Sequence, residues 1–294
     1  MTTYPSMQDK VVLITGATNG IGKEAARQIA QTGATVVVAG RNESKLMQVV
    51  DELEQQTGNS QIDGLLADLS EVAGMHSLAS QFLVRYQRLD VLLNNAGALF
   101  TENKLTADGY ERTFALNHLS YFLVTQLLLD ILKSSAPTRI VNVSSGVHAG
   151  GQINFDDLHG ATGYAPLRAY SQSKLANLMF TFELAEQLAE ADVTVNALHP
   201  GMVQSGFGRN NKGIVGRVTG VVLGILQRLQ GVDVTQGADT AVYLACSPEV
   251  AGITGTYWYK RQQEQSSPNS LDKAQWKRLW DVSLEMVERE GATI

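Results

Sequence analysis

The chain has 294 residues, 44% hydrophobic and 18% charged, with a formal net charge of −6. That is enough to bury a sizeable α/β core, and its scattered Lys and Arg argue against a nucleic-acid partner. One cysteine, Cys246, excludes an internal disulfide and reads as a small core residue of a chain kept in a reducing compartment, while His76, His118, His148, His159 and His199 share no ligand-type spacing, so no metal is expected.

In chain order, Val11–Ile14 is a β-branched apolar run that reads as a strand buried on both faces. Thr15–Gly22 (TGATNGIG) follows as a Gly-rich turn, and Lys23–Thr32 takes up helical spacing. Strand, turn and helix in that order aim free backbone N–H groups at one spot where the helix dipole favours an anion. Glycine there permits positive φ and close approach of a pyrophosphate. Gly16, Thr18, Asn19, Gly20 and Ile21 are therefore candidate cofactor contacts. Ala34–Ala39 is a second strand with a helix after it over Glu43–Gln56. Ile62–Ala67 is a third strand, closed by Asp68-Leu69-Ser70, with Ser70 as N-cap of the next helix. Asp90–Leu93 is a fourth strand, running into Asn94-Asn95-Ala96-Gly97. Thr106 or Asp108 opens a long helix toward Leu132, Arg139–Val143 is a fifth strand, Tyr164 or Pro166 begins a helix to about Ala189, and Val193–Leu198 is a sixth strand.

Strands alternating with helices imply right-handed crossovers and a single-domain α/β fold, a doubly wound parallel sheet with helices on both faces. Two parts break the rhythm. Residues 201–231 hold an apolar piece, Ile214–Leu229, placed to be a lid over a pocket at the carboxyl edge of the sheet, or else a surface helix packed on the core. Residues 260–294 form a polar tail with a helix from about Leu271, whose Trp276 and Trp280 read as docking residues. No apolar run reaches the roughly 18–20 residues of a membrane span, and Met1–Lys10 lacks a signal-peptide core, so a soluble cytoplasmic protein with no integral membrane segment is expected.

The second strand ends Ala39-Gly40-Arg41-Asn42, with no acid to hold ribose hydroxyls. Arg41 instead offers a fork of donors suited to a 2′-phosphate, which favours NADP(H) over NAD(H). Asp68, with Leu69 beside it, is placed to accept from an adenine amino group or simply to start a helix. Asn94, Ala96 and Gly97 close the fourth strand, where glycine permits close approach to a cofactor; Asn94-Asn95 equally reads as turn chemistry joining two strands.

Tyr170 and Lys174 stand four apart, on one face of one helix. A phenol has an ordinary pKa of about 10, and a neighbouring ammonium lowers it toward the range useful for general acid catalysis. Ser144-Ser145 ends the fifth strand at the same sheet edge, where a hydroxyl can hydrogen-bond a substrate carbonyl. No G-x-S-x-G elbow is present, which disfavours serine hydrolase chemistry.

Thr15–Gly22, Asn94–Gly97, Asn117, Ser145, Tyr170/Lys174 and Pro200-Gly201 together resemble the short-chain dehydrogenase/reductase family over residues 8–258. Thr106–Phe122, Arg139–Ser145, Ser173–Leu178 and His199–Ser205 resemble its retinol dehydrogenase-like branch. The resemblance implies that Tyr170 is the acid in reduction and the base in oxidation, that Lys174 lowers its pKa and binds the nicotinamide ribose, and that Ser145 holds the substrate oxygen, with Ser144 structural. It implies that Asn117 holds a water linking Lys174 to solvent, and that Pro200, Gly201 and Val203 flank the nicotinamide. The activity implied is interconversion of a carbonyl and its alcohol; Arg41 favours NADP(H) for it, and the apolar piece Ile214–Leu229 favours a small apolar substrate. Departures are the absence of an N-terminal hydrophobic anchor, which weakens retinoid as the substrate, and His148 where many members have Gly. Members frequently pair through the two long helices, so a homodimer or homotetramer is among the implied assemblies. The different-class alternative is a non-catalytic NADP(H)-binding regulator or scaffold on the same fold.

Overall fold

Eight strands hydrogen-bond into one continuous sheet in the computed structural model, which describes residues 4–203 and 232–288. They are β1 (Val11–Thr15), β2 (Thr35–Gly40), β3 (Ile62–Leu66), β4 (Val91–Asn94), β5 (Thr138–Val143), β6 (Val193–Leu198), β7 (Thr256–Tyr259) and β8 (Gln262–Glu264). The spatial order is β3-β2-β1-β4-β5-β6-β7-β8. All neighbours run parallel except the β7–β8 pair. The order reverses between β1 and β4, and that switch opens a crevice at the carboxyl ends of the strands.

The helices are α1 (Gly20–Ala30), α2 (Glu43–Thr57), α3 (Val72–Arg85), α4 (Ser120–Leu127), α5 (Leu129–Ser134), α6 (Pro166–Gln187), α7 (Val234–Cys246) and α8 (Lys273–Glu288). Alternation along each strand feeds two apolar layers. Val12 and Ile14 pack with Ala25, Ile29, Leu53 and Val242 beneath α1, α2 and α7. Val11 and Leu13 pack with Phe82, Phe122, Leu178 and Leu279 on the face of α3, α4, α6 and α8. Cys246 is buried among the first set, as its composition suggested.

The expected helix from Thr106 or Asp108 is corrected. Thr106–Gly109 forms a tight turn, with Gly109 at φ 82° and a backbone bond from Gly109 to Thr106. One helical turn, Arg112–Phe114, follows, then a π-helical turn, Ala115–Leu119, before α4. The buried Glu111 carboxylate is the actual cap, accepting from the backbone N–H groups of Thr113 and Phe114 at 2.7 and 2.8 Å. Ser70 is likewise not an N-cap. Its hydroxyl donates to Asp68 at 2.7 Å, and α3 begins at Val72, whose N–H is taken by Asp108 at 2.9 Å. Of the capping residues read from sequence, Asp108 thus serves a neighbour distant along the chain, while Ser70 turns back to Asp68.

The tail holds more than its sequence suggested. Lys260 and Arg261, at φ 49° and 62°, form the two-residue turn of a β7–β8 hairpin, with twist of the kind two positive φ values give. Farther on, Trp276 packs on Phe182 and Trp280 packs edge-on against Phe122 and stacks on Phe180. His118 pins α8, its Nε2 lying 2.9 Å from the Ser283 hydroxyl; burial pushes its pKa down to about 4. α8 therefore covers a face shared by α4 and α6, the helices expected to pair between copies. The proposed lid, with Ile214–Leu229, lies outside the described residues from residue 204 onward.

Candidate active site

The β1–α1 turn is built by close packing. Gly16 has φ 65°, and a Cβ there would lie 2.6 Å from the Ala96 Cα; one on Gly22 would lie 2.3 Å from the Asn95 amide nitrogen. Asn95 donates to the carbonyls of Thr15 and Gly16 at 2.9 and 3.1 Å, while the Thr15 hydroxyl accepts from the backbone of Asn95 and Ala96. The turn and the end of β4 are thereby fixed to each other. Asn19 stands at the N-cap of α1 with no side-chain cap bond, and no acidic residue occupies the first turn. The donors at Gly20, Ile21 and Gly22 suit an anion such as a diphosphate. The residues present fit a dinucleotide on this ground.

Other expected contacts distribute unevenly. Thr18 packs its methyl against Gly40 at the end of β2. Arg41, half-exposed, has Nη1 4.0 Å from the outer oxygen of Asp68. The other Asp68 oxygen accepts from the Ser70 backbone and hydroxyl, so its carboxylate faces Arg41 and Ser70, and Leu69 is buried in the core. The Asn94 amide donates inside the sheet layer to Thr125 and Asn142 at 3.0 and 2.9 Å. These bonds tie β4 to β5 and to α4 through the side chain rather than through a turn.

Ser145, Tyr170 and Lys174 converge where β5 ends against α6. The Ser145 hydroxyl hydrogen-bonds Tyr170, and burial outweighs that bond to push the phenol up to about 12. The Lys174 Nζ lies 5.8 Å from the centroid of the Tyr170 ring and donates to the Val143 carbonyl at 2.9 Å. Burial pushes the amine down to about 7. Helical spacing brings phenol and amine together as expected, but desolvation dominates both groups, and the phenol does not stand below its ordinary value. Ser144 donates to the Lys174 carbonyl at 2.8 Å, a purely structural contact.

Asn117 lies in the π-helical turn, fully buried. Its Oδ1 accepts from the Ala98 N–H, and its Nδ2 donates to the Ala98 carbonyl and the Ser173 hydroxyl, at 2.9, 3.0 and 2.9 Å. The side chain is thus fully engaged, and the π turn that carries it is a feature frequent at functional sites. A Cβ on Gly97 would sit 3.3 Å from Asn117 Oδ1 and 3.4 Å from Lys174 Nζ, so glycine keeps that approach open. Pro200-Gly201 follows β6, with Gly201 at φ 74°. Val203 is buried, bridged to Val232 and packed on Gly237.

Sequence reasoning missed three residues that shape this edge: Glu111, which caps the turn leading to Asn117, and His148 and His199, which touch the backbones of Ser145 and Gly201. The triplet His199-Pro200-Gly201 and the position of His148 three after Ser145 were the available signals. Among the described residues, no group of three or more His, Cys, Asp or Glu is placed to hold a metal ion, and no helix is long and apolar enough to cross a membrane.

Comparison with known proteins agrees with this geometry. The family model described as short chain dehydrogenase matches residues 10–213. Retinol dehydrogenase 14 of Mus musculus is 38% identical over 291 residues, covering 96% of this chain and 86% of that protein. A Mycobacterium paratuberculosis protein of known crystal structure superposes with a TM-score of 0.77 at 30% identity, covering 97% and 96% of the two chains. A Shigella flexneri 2a chain crystallised with NADP is 27% identical at a TM-score of 0.65, covering 88% of this chain and all (100%) of that one. The family match over residues 10–213, the retinol dehydrogenase relatives and the shared fold show that this chain belongs to the short-chain dehydrogenase/reductase family, on the retinol dehydrogenase-like branch.

Proposed function

We propose that the protein is an NADP(H)-dependent oxidoreductase that interconverts a small apolar aldehyde or ketone with its alcohol, Tyr170 serving as the acid and base. The observation that carries this reading is the hydrogen-bonded Ser145–Tyr170 pair at the carboxyl edge, with the buried Lys174 ammonium site behind it. When bound, the nicotinamide supplies and accepts the hydride; the protein supplies orientation and the proton. Ser145 donates a hydrogen bond to the substrate oxygen, and the Tyr170 hydroxyl delivers a proton to it. A phenol held near 12 stays protonated across the neutral range, which suits carbonyl reduction. In alcohol oxidation Tyr170 must first lose that proton, a step Lys174 assists when charged. Asn117 supports Lys174 through its backbone and through the wall it shares with Gly97.

In this reading the α1 N-terminus, with Gly16, Thr18, Asn19, Gly20 and Ile21, holds the diphosphate, and Arg41 turns from Asp68 to a 2′-phosphate. Asp68 and Leu69 border the adenine, Asn94, Ala96 and Gly97 the adjoining ribose, and Lys174 the nicotinamide ribose. Pro200, Gly201 and Val203 flank the nicotinamide. The whole chain acts as one domain in a cytoplasmic setting. The names of its relatives, retinol dehydrogenases, and the NADP held by one structural neighbour support the same class.

The test is NADPH consumption by purified protein with retinal, medium-chain aldehydes, steroid ketones and small quinones, with NADH in parallel. Turnover preferring NADPH is the expected result. Tight NADPH binding without turnover of any carbonyl would overturn the reading in favour of a non-catalytic cofactor-binding protein.

A further inference from the structure

The β7–β8 hairpin touches the active site through two imidazoles. His199 follows β6 and lies flat on Tyr259, ring centroids 4.0 Å apart at 17°, with Tyr257 5.5 Å away at 26°. Its Nε2 is 3.2 Å from a Glu264 oxygen, and its Nδ1 accepts from the Gly201 N–H at 3.3 Å. A carboxylate only accepts, so Nε2 carries the hydrogen and Nδ1 is left bare; one neutral tautomer satisfies both contacts. His148 is the mirror case. Its Nδ1 donates to the Ser145 carbonyl at 2.8 Å, and its Nε2 accepts from the Ser267 N–H at 3.2 Å. That requires the other neutral tautomer. Tyr257 stands between the two rings, edge-on to His148 at 5.1 Å with its hydroxyl 3.4 Å from Nδ1.

The hairpin is itself over-determined. Its turn places Lys260 and Arg261 at positive φ, a conformation costly for side-chain-bearing residues. Arg261 is held there by an ion pair with Asp239 and a backbone bond to the Thr240 hydroxyl. Gly201 packs directly beneath it, since a Cβ there would lie 3.2 Å from the Tyr259 ring. Strain of this kind persists where the surroundings fix a geometry that matters elsewhere.

We propose that His199 and His148 are positioning residues, each carrying the hairpin's rigidity to one active-site backbone: His199 sets the height of Pro200-Gly201, and His148 sets that of Ser145. The inference rests on the reading of Gly201 as a nicotinamide flank and of Ser145 as the holder of the substrate oxygen. Neither histidine touches the reacting atoms. Placement of the nicotinamide half then depends on His199, whereas placement of the adenosine half, at α1 and Arg41, does not.

The test compares two ligands by calorimetric titration, NADPH and adenosine 2′,5′-bisphosphate, on wild type and on His199→Phe, which keeps the stacking and removes the acceptor for Gly201 together with the half-exposed contact to Glu264. Loss of one hydrogen bond of this kind predicts NADPH weakened about tenfold with the bisphosphate unchanged. His199→Asn, which restores an acceptor near Nδ1, should recover most of that loss. Should His199→Phe fail to fold, Glu264→Ala removes only the half-exposed carboxylate that fixes the tautomer, and should give the same pattern to a smaller degree. For His148, His148→Phe should lower kcat about tenfold with NADPH affinity kept, and His148→Asn, which retains a donor to Ser145, should restore it. Equal weakening of both ligands, or no weakening, would overturn the role of His199; an unchanged kcat in His148→Phe would overturn that of His148. The two-ligand comparison needs no turnover, so it reads out even if no carbonyl proves to be a substrate.

Discussion

Lys174→Met isolates what the active-site amine costs the fold. Lys174 is buried and moves from an ordinary 10.5 down to about 7, and its only described hydrogen bond runs to the Val143 carbonyl. The folded pKa lies below the unfolded one, so between about 7 and 10.5 the unfolded chain holds the proton and the folded chain releases it. Stability therefore rises with pH through that window and is least below it. At about 1.4 kcal/mol per pKa unit, the lysine costs about 4 kcal/mol at pH 7, and replacing it also forfeits about 1 kcal/mol of hydrogen bond. Methionine fills a similar volume without a charge, so the variant should be more stable than wild type by about 3 kcal/mol at pH 7 and less stable by about 0.5–1 kcal/mol at pH 10.5, where the lost hydrogen bond outweighs the remaining cost of the charge, while turnover is lost. Urea unfolding of both proteins at the two pH values measures this directly. A variant less stable than wild type at pH 7, or a difference independent of pH, would refute the claim that burial of this amine is a cost the fold carries for its function.

Other substitutions test separate links. Arg41→Asp should weaken NADPH about tenfold to a hundredfold while NADH binding changes little, since only the former brings a phosphate to Arg41; equal losses would remove Arg41 from that site. Glu111→Ala leaves the backbone donors of Thr113 and Phe114 without their carboxylate, and should cost about 1–3 kcal/mol in urea unfolding; an unchanged midpoint would mean that the cap does not hold the turn leading to Asn117. Leu279→Ala, at a fully buried position of α8, should cost about 2–5 kcal/mol if the tail helix is part of the cooperative core, and a loss below 1 kcal/mol would show it docking loosely.

Much of the architecture was legible because the relevant signals are local. The apolar run Val11–Ile14, the glycines after it and the four-residue spacing of Tyr170 and Lys174 each encode their structure within one or two turns of chain. Six strands and most helices followed from alternation of that kind. The hairpin was not legible: Thr256–Tyr259 is short, Gln262–Glu264 is polar and exposed, and the turn between them uses Lys260-Arg261 rather than a glycine. Thr106, Asp108 and Ser70 carried helix-start signals that the fold put to other use: Thr106 closes a local turn, Ser70 bonds back to Asp68, Asp108 caps α3 across a long separation, and Glu111 caps the later helix. At the carboxyl edge the sequence pointed to residues but not to their contacts. Asn94 and Asn117 turned their amides inward, and the two histidines that hold Ser145 and Gly201 depend on a hairpin that no local pattern announced. The Tyr170–Lys174 spacing predicted proximity correctly, yet it could not weigh desolvation against charge, and burial proved the larger effect on both groups.

The central claim is that Tyr170 passes the proton. Tyr170→Phe removes one oxygen and leaves the ring, so NADPH oxidation with the best carbonyl and NADPH affinity should be measured side by side on the same preparation. The account predicts turnover reduced at least about a thousandfold, toward the limit general acid catalysis allows, with NADPH affinity within about twofold of wild type. Turnover near that of wild type would contradict it.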